Sequence, residues 1–115
     1  MSRLPRIFGL HMADDVETIP AKQIATRRRI GHLGDRPVYE YGLIGGLYLI
    51  TALRKEGRPE ILSSGSHPAI ARHVARKFAP TVEFTELAKS EDVDIRDLEP
   101  FLAKYEALTE ELRKL

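Results

Sequence analysis

The sequence predicts an α+β domain: an antiparallel β-meander extended to a mixed sheet of about five strands, with two helices packed on one face. Three observations support this prediction. Residues 23–64 contain short apolar or alternating stretches separated by glycine-containing turns, which is typical of successive strands. Residues 66–79 and 97–115 place apolar side chains at helical spacing. A short alternating stretch, residues 81–87, lies between these two helices and predicts a further strand.

The first two strands follow from the stretch RRRIGHLGDRPVYEY, which predicts a hairpin around Gly34 and Asp35. Glycine supplies the positive φ that a two-residue hairpin turn needs at its first central position. This turn places Arg29 opposite Glu40, and opposite charges on facing strand positions stabilise the pairing. We therefore expect an Arg29–Glu40 cross-strand pair.

The next strands follow from two further turns. Residues 44–46, Ile-Gly-Gly, reverse the chain into the strand LYLITAL, whose continuous apolarity predicts burial on both faces and a central place in the sheet. Residues 54–59 then turn the chain into the strand EILSS. The chain from that strand through the helix to residues 81–87 is long enough for a parallel crossover, and this is the basis for expecting a mixed sheet.

The two helices have recognisable limits. Ser66 is the expected N-cap of the first helix, Pro68 suits its first turn and Pro80 ends it. We expect its Ile70, Val74 and Phe78 stripe to pack and the opposite side to face water. The second helix begins near Asp97, and its apolar stripe consists of Ile95, Leu98, Leu102, Tyr105, Leu108 and Leu112.

Length and composition bound the function. A chain of 115 residues fits one domain, residues 1–115, in which residues 1–22 form an irregular N-terminal segment without strong periodicity. There is no cysteine, so disulfides, thiolate nucleophiles and thiolate metal sites are excluded. The four histidines make no i, i+4 pair and no HExxH motif occurs, so we expect no metal site and no cofactor.

Hydropathy bounds the location. The longest apolar run, residues 41–53, is shorter than the roughly 20 residues that a membrane span requires, so no membrane partner is expected. The apolar run at residues 7–10 is interrupted by Gly9 and is too short for a signal peptide. The predicted location is the cytoplasm.

Charge is unevenly distributed along the chain. Residues 1–80 hold 13 Lys and Arg against 7 Asp and Glu, whereas residues 81–115 hold 5 against 10. A basic part can meet an anionic partner, or the acidic part can lie against it in the same chain or in a second copy. Six cations are the candidate partner-binding residues: Arg27, Arg28, Arg29, Arg72, Arg76 and Lys77. A solvated strand edge and helix side would explain the same residues without any partner.

A second candidate site is the turn before the first helix, Ser64, Gly65, Ser66 and His67. Free amides and hydroxyls at a helix N-terminus can hold an anion. The same residues are also explained as ordinary helix punctuation, because no Walker lysine follows and no dinucleotide fingerprint is present.

These observations predict a small non-enzymatic binding or assembly module that presents a basic surface to an anionic partner, either nucleic acid or an acidic protein face. We expect it to associate with copies of itself through the C-terminal helix or a sheet edge. No catalytic residue is predicted, since no G-x-S-x-G elbow or comparable motif occurs. The alternative is a small enzyme or sensor that binds a phosphorylated metabolite at the turn formed by residues 64–67.

Overall fold

The computed structural model describes residues 21–92 and 95–114. They form five strands, namely β1 (Ile24–Leu33), β2 (Arg36–Leu43), β3 (Tyr48–Leu53), β4 (Pro59–Gly65) and β5 (Glu83–Phe84). They also form three α-helices, namely α1 (Pro68–Phe78), α2 (Glu86–Ser90) and α3 (Glu99–Arg113), with short 3₁₀ turns at Ala21–Gln23 and Ile95–Leu98. The α+β class is confirmed. Residues 1–20 of the predicted irregular segment lie outside the described residues.

The sheet has the strand order β4-β3-β2-β1-β5, and every neighbouring pair is antiparallel. The structure therefore differs from the predicted mixed sheet, because α1 returns the chain to the far edge beside β1 rather than parallel to β4. The predicted strand at residues 81–87 is shortened to two residues, since Thr85 caps α2 by accepting a hydrogen bond from the Ala88 amide.

A β-bulge in β1 changes the register that the sequence predicted. Arg28, not Arg29, lies opposite Glu40, so the expected Arg29–Glu40 pair is wrong. The register shifts between Arg29 and Gly31, which leaves Ile30 as the additional residue on its strand. A register shift of one residue moves the side chains on the N-terminal side of the bulge to the opposite face of the sheet. The bulge thus places Arg28 on the same face of the sheet as Glu40.

The two long helices contact β4 from opposite sides. Ser63 Oγ donates to the Ala71 carbonyl of α1 at 2.6 Å, whereas the Ser64 amide donates to Thr109 Oγ1 of α3 at 3.0 Å. Consecutive residues of a strand point to opposite faces. The arrangement therefore differs from the prediction of two helices on one face: α1 lies on the first face, and α3 lies along the β4 edge and on the second face.

Three apolar clusters form the core. The first joins the sheet to α1 and includes Ile30, Val38, Ile50, Ala71 and Ala75. The second joins the sheet to α3 and includes Leu43, Leu49, Leu112, Ile61 and Leu108. The third lies between α1 and α3 and includes Ile70, Val74, Leu102 and Tyr105. The central place predicted for β3 is confirmed, because its four middle residues are buried. Across the described residues, every helix is too short or too polar to span a lipid bilayer.

Candidate functional site

The sheet separates the six predicted cations onto two faces. On the second face, which carries α3, lie the two exposed residues Arg27 and Arg29. On or near the first face lie Arg28 and the three α1 residues Arg72, Arg76 and Lys77. The predicted single basic surface is therefore divided, and its two parts have different surroundings.

Arg72 is fully buried, with a side-chain exposure of 0%. The expectation that it faces water is wrong, because two sides of α1 are covered, one by the sheet and the other by α3. The predicted stripe beginning at Ile70 packs against α3, whereas Ala71 and Ala75 pack against the sheet. Arg72 thus points into the molecule, where a charged side chain has to be paired.

Two carboxylates meet the Arg72 guanidinium. Its Nη1 donates to Glu40 Oε1 at 3.3 Å, and its Nε donates to Asp92 Oδ1 at 2.9 Å. Glu40 is itself buried at 4% exposure. Arg72 Nη2 is buried as well and has no hydrogen-bond partner in the described part of the chain. The guanidinium is thus a buried link between β2 and the segment that follows α2.

Two half-buried arginines, Arg28 and Arg76, complete this charge network. Arg28 Nε donates to Glu40 Oε2 at 3.1 Å, and Arg28 Nη1 donates to Glu91 Oε2 at 3.0 Å. Arg76 Nη2 donates to Asp92 Oδ2 at 3.1 Å. Three guanidinium groups therefore face three carboxylates, two of which come from the acidic C-terminal part of the chain. Lys77 is paired similarly, with Glu106 of α3 at 2.8 Å.

The Arg28–Glu91 ion pair shifts the pKa of both of its members in the direction that favours their charged forms. The hydrogen bonds from the Arg28 guanidinium hold the pKa of Glu91 below its usual value of 4.5. The same bonds raise the pKa of Arg28 further above its usual value. The uneven charge of the sequence is thus balanced within the molecule at this site.

The second face carries a different group of side chains, which we call the arginine–tyrosine face: Arg27, Arg29, Tyr39 and Tyr41. Arg27 lies opposite Tyr41 and Arg29 lies opposite Tyr39, so all four side chains share one face of β1 and β2. The Arg27 guanidinium carbon is 4.6 Å from the centre of the Tyr39 ring and 5.8 Å from that of Tyr41. Both distances fall within the range of a cation–π interaction.

These arginines have no acidic partner in the part of the chain that the structure describes. Arg29 Nε donates to the Gly31 carbonyl at 3.3 Å, and the Arg27 guanidinium lies over the two tyrosine rings. The ion pairs of residues 21–92 and 95–114 involve other cations. Arg27 and Arg29 are therefore exposed cations that no carboxylate of residues 21–92 or 95–114 contacts.

The position of α3 limits the size of this face. Leu49 and Thr51 of β3 share the face with the tyrosines, but both are fully buried. Leu108 and Leu112 of α3 lie in the same apolar cluster as Leu49 and Tyr41. The β1–β2 half remains accessible. Sequence reasoning missed both tyrosines, although the alternation in VYEY places them on one face of a strand.

The turn formed by residues 64–67 is built differently from an open anion site. Ser64 is buried and is held by Thr109 through both its amide and its hydroxyl. His67, not Ser66, is the N-cap of α1, and its Nδ1 accepts the Ala69 amide at 3.0 Å. The predicted Ser66 cap is therefore wrong. The Ser64 amide and hydroxyl and the Ala69 amide are thus already used by contacts within the chain.

Two further features concern small ligands. An open depression of about 330 Å³ lies at the β3–β4 turn, lined by Arg36, Arg54, Lys55, Glu56 and Glu60, and residues 64–67 do not contribute to it. Among residues 21–92 and 95–114, no group of three or more His, Asp or Glu side chains is arranged to hold a metal ion.

Comparisons of the chain with protein-family models, curated proteins and solved structures found no match. The geometry of the two faces therefore carries the functional argument.

Proposed function

We propose that this protein is a non-enzymatic binding module that holds an anionic partner on the arginine–tyrosine face. The observation that carries the proposal is the pair of exposed cations, Arg27 and Arg29, which no carboxylate of the described residues contacts and which lie beside two half-buried tyrosine rings. Guanidinium groups bind phosphate and carboxylate groups well, because their donors form a planar fork.

The other four candidate cations support this choice of face, because each is already buried or paired with a carboxylate. Arg72 is buried, so a partner would have to unfold part of the chain to reach it. Arg28, Arg76 and Lys77 each contact a carboxylate. An anion that bound there would have to displace an existing partner. Arg27 and Arg29 require no such exchange.

Two predictions from the sequence stay predictions. Self-association would use the outer edge of β1, where β5 pairs only with Gly31 and His32, or the surface of α3 around Phe101, whose exposure is 47%. The phosphorylated-metabolite alternative would use residues 64–67, and no described contact favours it.

The experiment is a salt titration of binding to two anionic polymers, a labelled oligonucleotide of mixed sequence and polyglutamate. The test variant is R27Q/R29Q. The matched control is K55Q/K114Q, which removes the same charge from two exposed lysines elsewhere on the surface. We expect R27Q/R29Q to weaken binding and to flatten its salt dependence, and we expect the control variant to retain most of the affinity, because contacts depend on position as well as on net charge.

Failure of both polymers to bind at low salt would refute the proposed function. Equal losses in R27Q/R29Q and K55Q/K114Q would show that only net charge matters, which also contradicts a site on this face. Binding of polyglutamate without the oligonucleotide would identify the partner as an acidic protein surface.

A further inference from the structure

We propose that the arginine–tyrosine face binds single-stranded nucleic acid, with bases stacked on Tyr39 and Tyr41 and phosphates bound by Arg27 and Arg29. This inference rests on the proposed function and adds the class of partner. It depends on the spacing of the rings, on the arginines across from them and on how few of the described cations on this face lack an acidic partner.

The two rings are spaced as a stacking platform requires. Tyr39 and Tyr41 are two residues apart on β2, so they share a face and are separated by about 6.8 Å along the strand. Both are half-buried, and Tyr41 packs against the cluster that contains Leu49 and Leu112. A tyrosine ring that already packs against the core loses little conformational freedom when a nucleobase stacks on it. Every base presents a π-face, so such a platform tolerates any sequence.

The arginines lie where the sugar–phosphate chain of a stacked strand would run. Each faces one of the tyrosines across the β1–β2 pair, a distance of about 5 Å between β-carbons. Arg27 now covers part of the Tyr39 ring, at 4.6 Å. An exposed guanidinium can leave this weak contact for a phosphate, or it can remain and itself stack on a base.

The number of described cations on this face that lack an acidic partner favours binding of a single nucleic-acid strand over a duplex. Duplex binding is dominated by phosphate contacts, and a protein that relies on them makes about six to ten. The structure balances Arg28, Arg72 and Arg76 internally, which leaves Arg27 and Arg29 on this face. In a duplex the bases are stacked on each other and are not available to the tyrosines. An acidic protein surface would use the arginines but would have no comparable use for both rings.

The decisive experiment compares three labelled nucleic acids of equal length: a mixed-sequence single strand, its duplex, and an abasic single strand that keeps the phosphates. We expect wild-type protein to bind the single strand most tightly. Loss of each stacked base corresponds to about a 5- to 150-fold weaker affinity, so the abasic strand should bind far more weakly. Loss of two phosphate contacts in R27Q/R29Q should reduce the logarithmic salt slope by about 1.4.

Two paired variants separate stacking from folding. Y39L/Y41L removes the rings, and Y39F/Y41F keeps them while removing the hydroxyls. We expect the leucine variant to bind the single strand as weakly as wild type binds the abasic strand, and the phenylalanine variant to bind as wild type does. If the leucine variant does not fold, the affinities of wild-type protein for the three nucleic acids still test whether bases stack on the rings.

Equal affinity of wild-type protein for the single strand and for the abasic strand or the duplex would overturn the single-strand inference while leaving the proposed function intact. Binding of polyglutamate alone would also overturn it. Binding of none of the polymers would overturn the proposed function itself, so the two failures are distinguishable.

Discussion

Replacing the buried Arg72 by methionine tests whether the internal charge network stabilises the fold. Methionine keeps an unbranched side chain of similar length, so most apolar contacts of the arginine stem remain. The guanidinium is lost. Glu40, buried at 4% exposure, then retains only its bond with Arg28, and Asp92 retains only its bond with Arg76.

The magnitude follows from the burial of each group. Removing one partner of a buried ion pair costs about 3 to 5 kcal/mol. Two features lower this figure here. Arg28 still contacts Glu40 at 3.1 Å, and the substitution also removes Arg72 Nη2, a buried donor without a partner. We therefore expect R72M to lower the free energy of unfolding by about 2 to 3 kcal/mol. For a domain of this size this corresponds to about 8 to 12 °C in Tm.

The assay is urea unfolding followed by circular dichroism, with comparison at equal m-value. The matched control is R76M, because Arg76 is 41% exposed and contacts the same Asp92. Exposed pairs contribute about 0 to 1 kcal/mol, so R76M should cost that much at most. The double variant R72M/E40Q should lose less stability than the sum of its single variants, since each single substitution leaves the other group without this ion-pair partner.

A cost for R72M no larger than that for R76M would refute the reasoning. It would mean that Arg72 is hydrated, or that the network rearranges without loss. If the stability losses of the two single variants add up to that of the double variant, the same conclusion follows, because groups that do not contact one another show no coupling.

Two further substitutions address the sheet and the acidic segment. Gly31→Ala would place a Cβ 2.0 Å from the Glu83 carbonyl oxygen, so β5 has to move, and we expect a loss of about 3 kcal/mol in urea unfolding; wild-type stability would show that the strands do not approach this closely. Glu91 has a pKa lowered by Arg28, so its contribution is present above its usual value of 4.5 and is lost as pH falls below that value. The small stability difference between wild type and E91Q should therefore be present near pH 7 and should shrink as pH falls through the lowered pKa of Glu91, whereas an unchanged difference would contradict the Arg28–Glu91 pair.

Local features of the fold were predictable because their causes are local. The hairpin turn lies at Gly34, whose φ of 64° is the positive value that the turn requires. Pro68 begins α1, and continuous apolarity marked β3 as buried on both sides. Turns, caps and hydrophobic periods depend on residues a few positions apart, and these are visible in any sequence.

The site was less predictable because it depends on one inserted residue and on the position of two helices. The bulge at Ile30 decides that Arg28 meets Glu40 and that Arg27 and Arg29 join the tyrosines. Gly31 is a local signal, because a glycine inside a strand often marks a bulge, but the register that forms depends on contacts made across the sheet.

The sequence by itself determined the class of the fold, the approximate positions of its four longer strands and two longer helices, and the existence of a surplus of cations in the first 80 residues. Only the tertiary structure decided which cations are balanced. The packing of α1 against the sheet buries Arg72 and brings it to Glu40 and Asp92, residues 32 and 20 positions away along the chain. The sequence shows which residues carry a charge. Whether a charge is neutralised depends on which groups come within hydrogen-bond distance, and the packing of the helices and the sheet determines this.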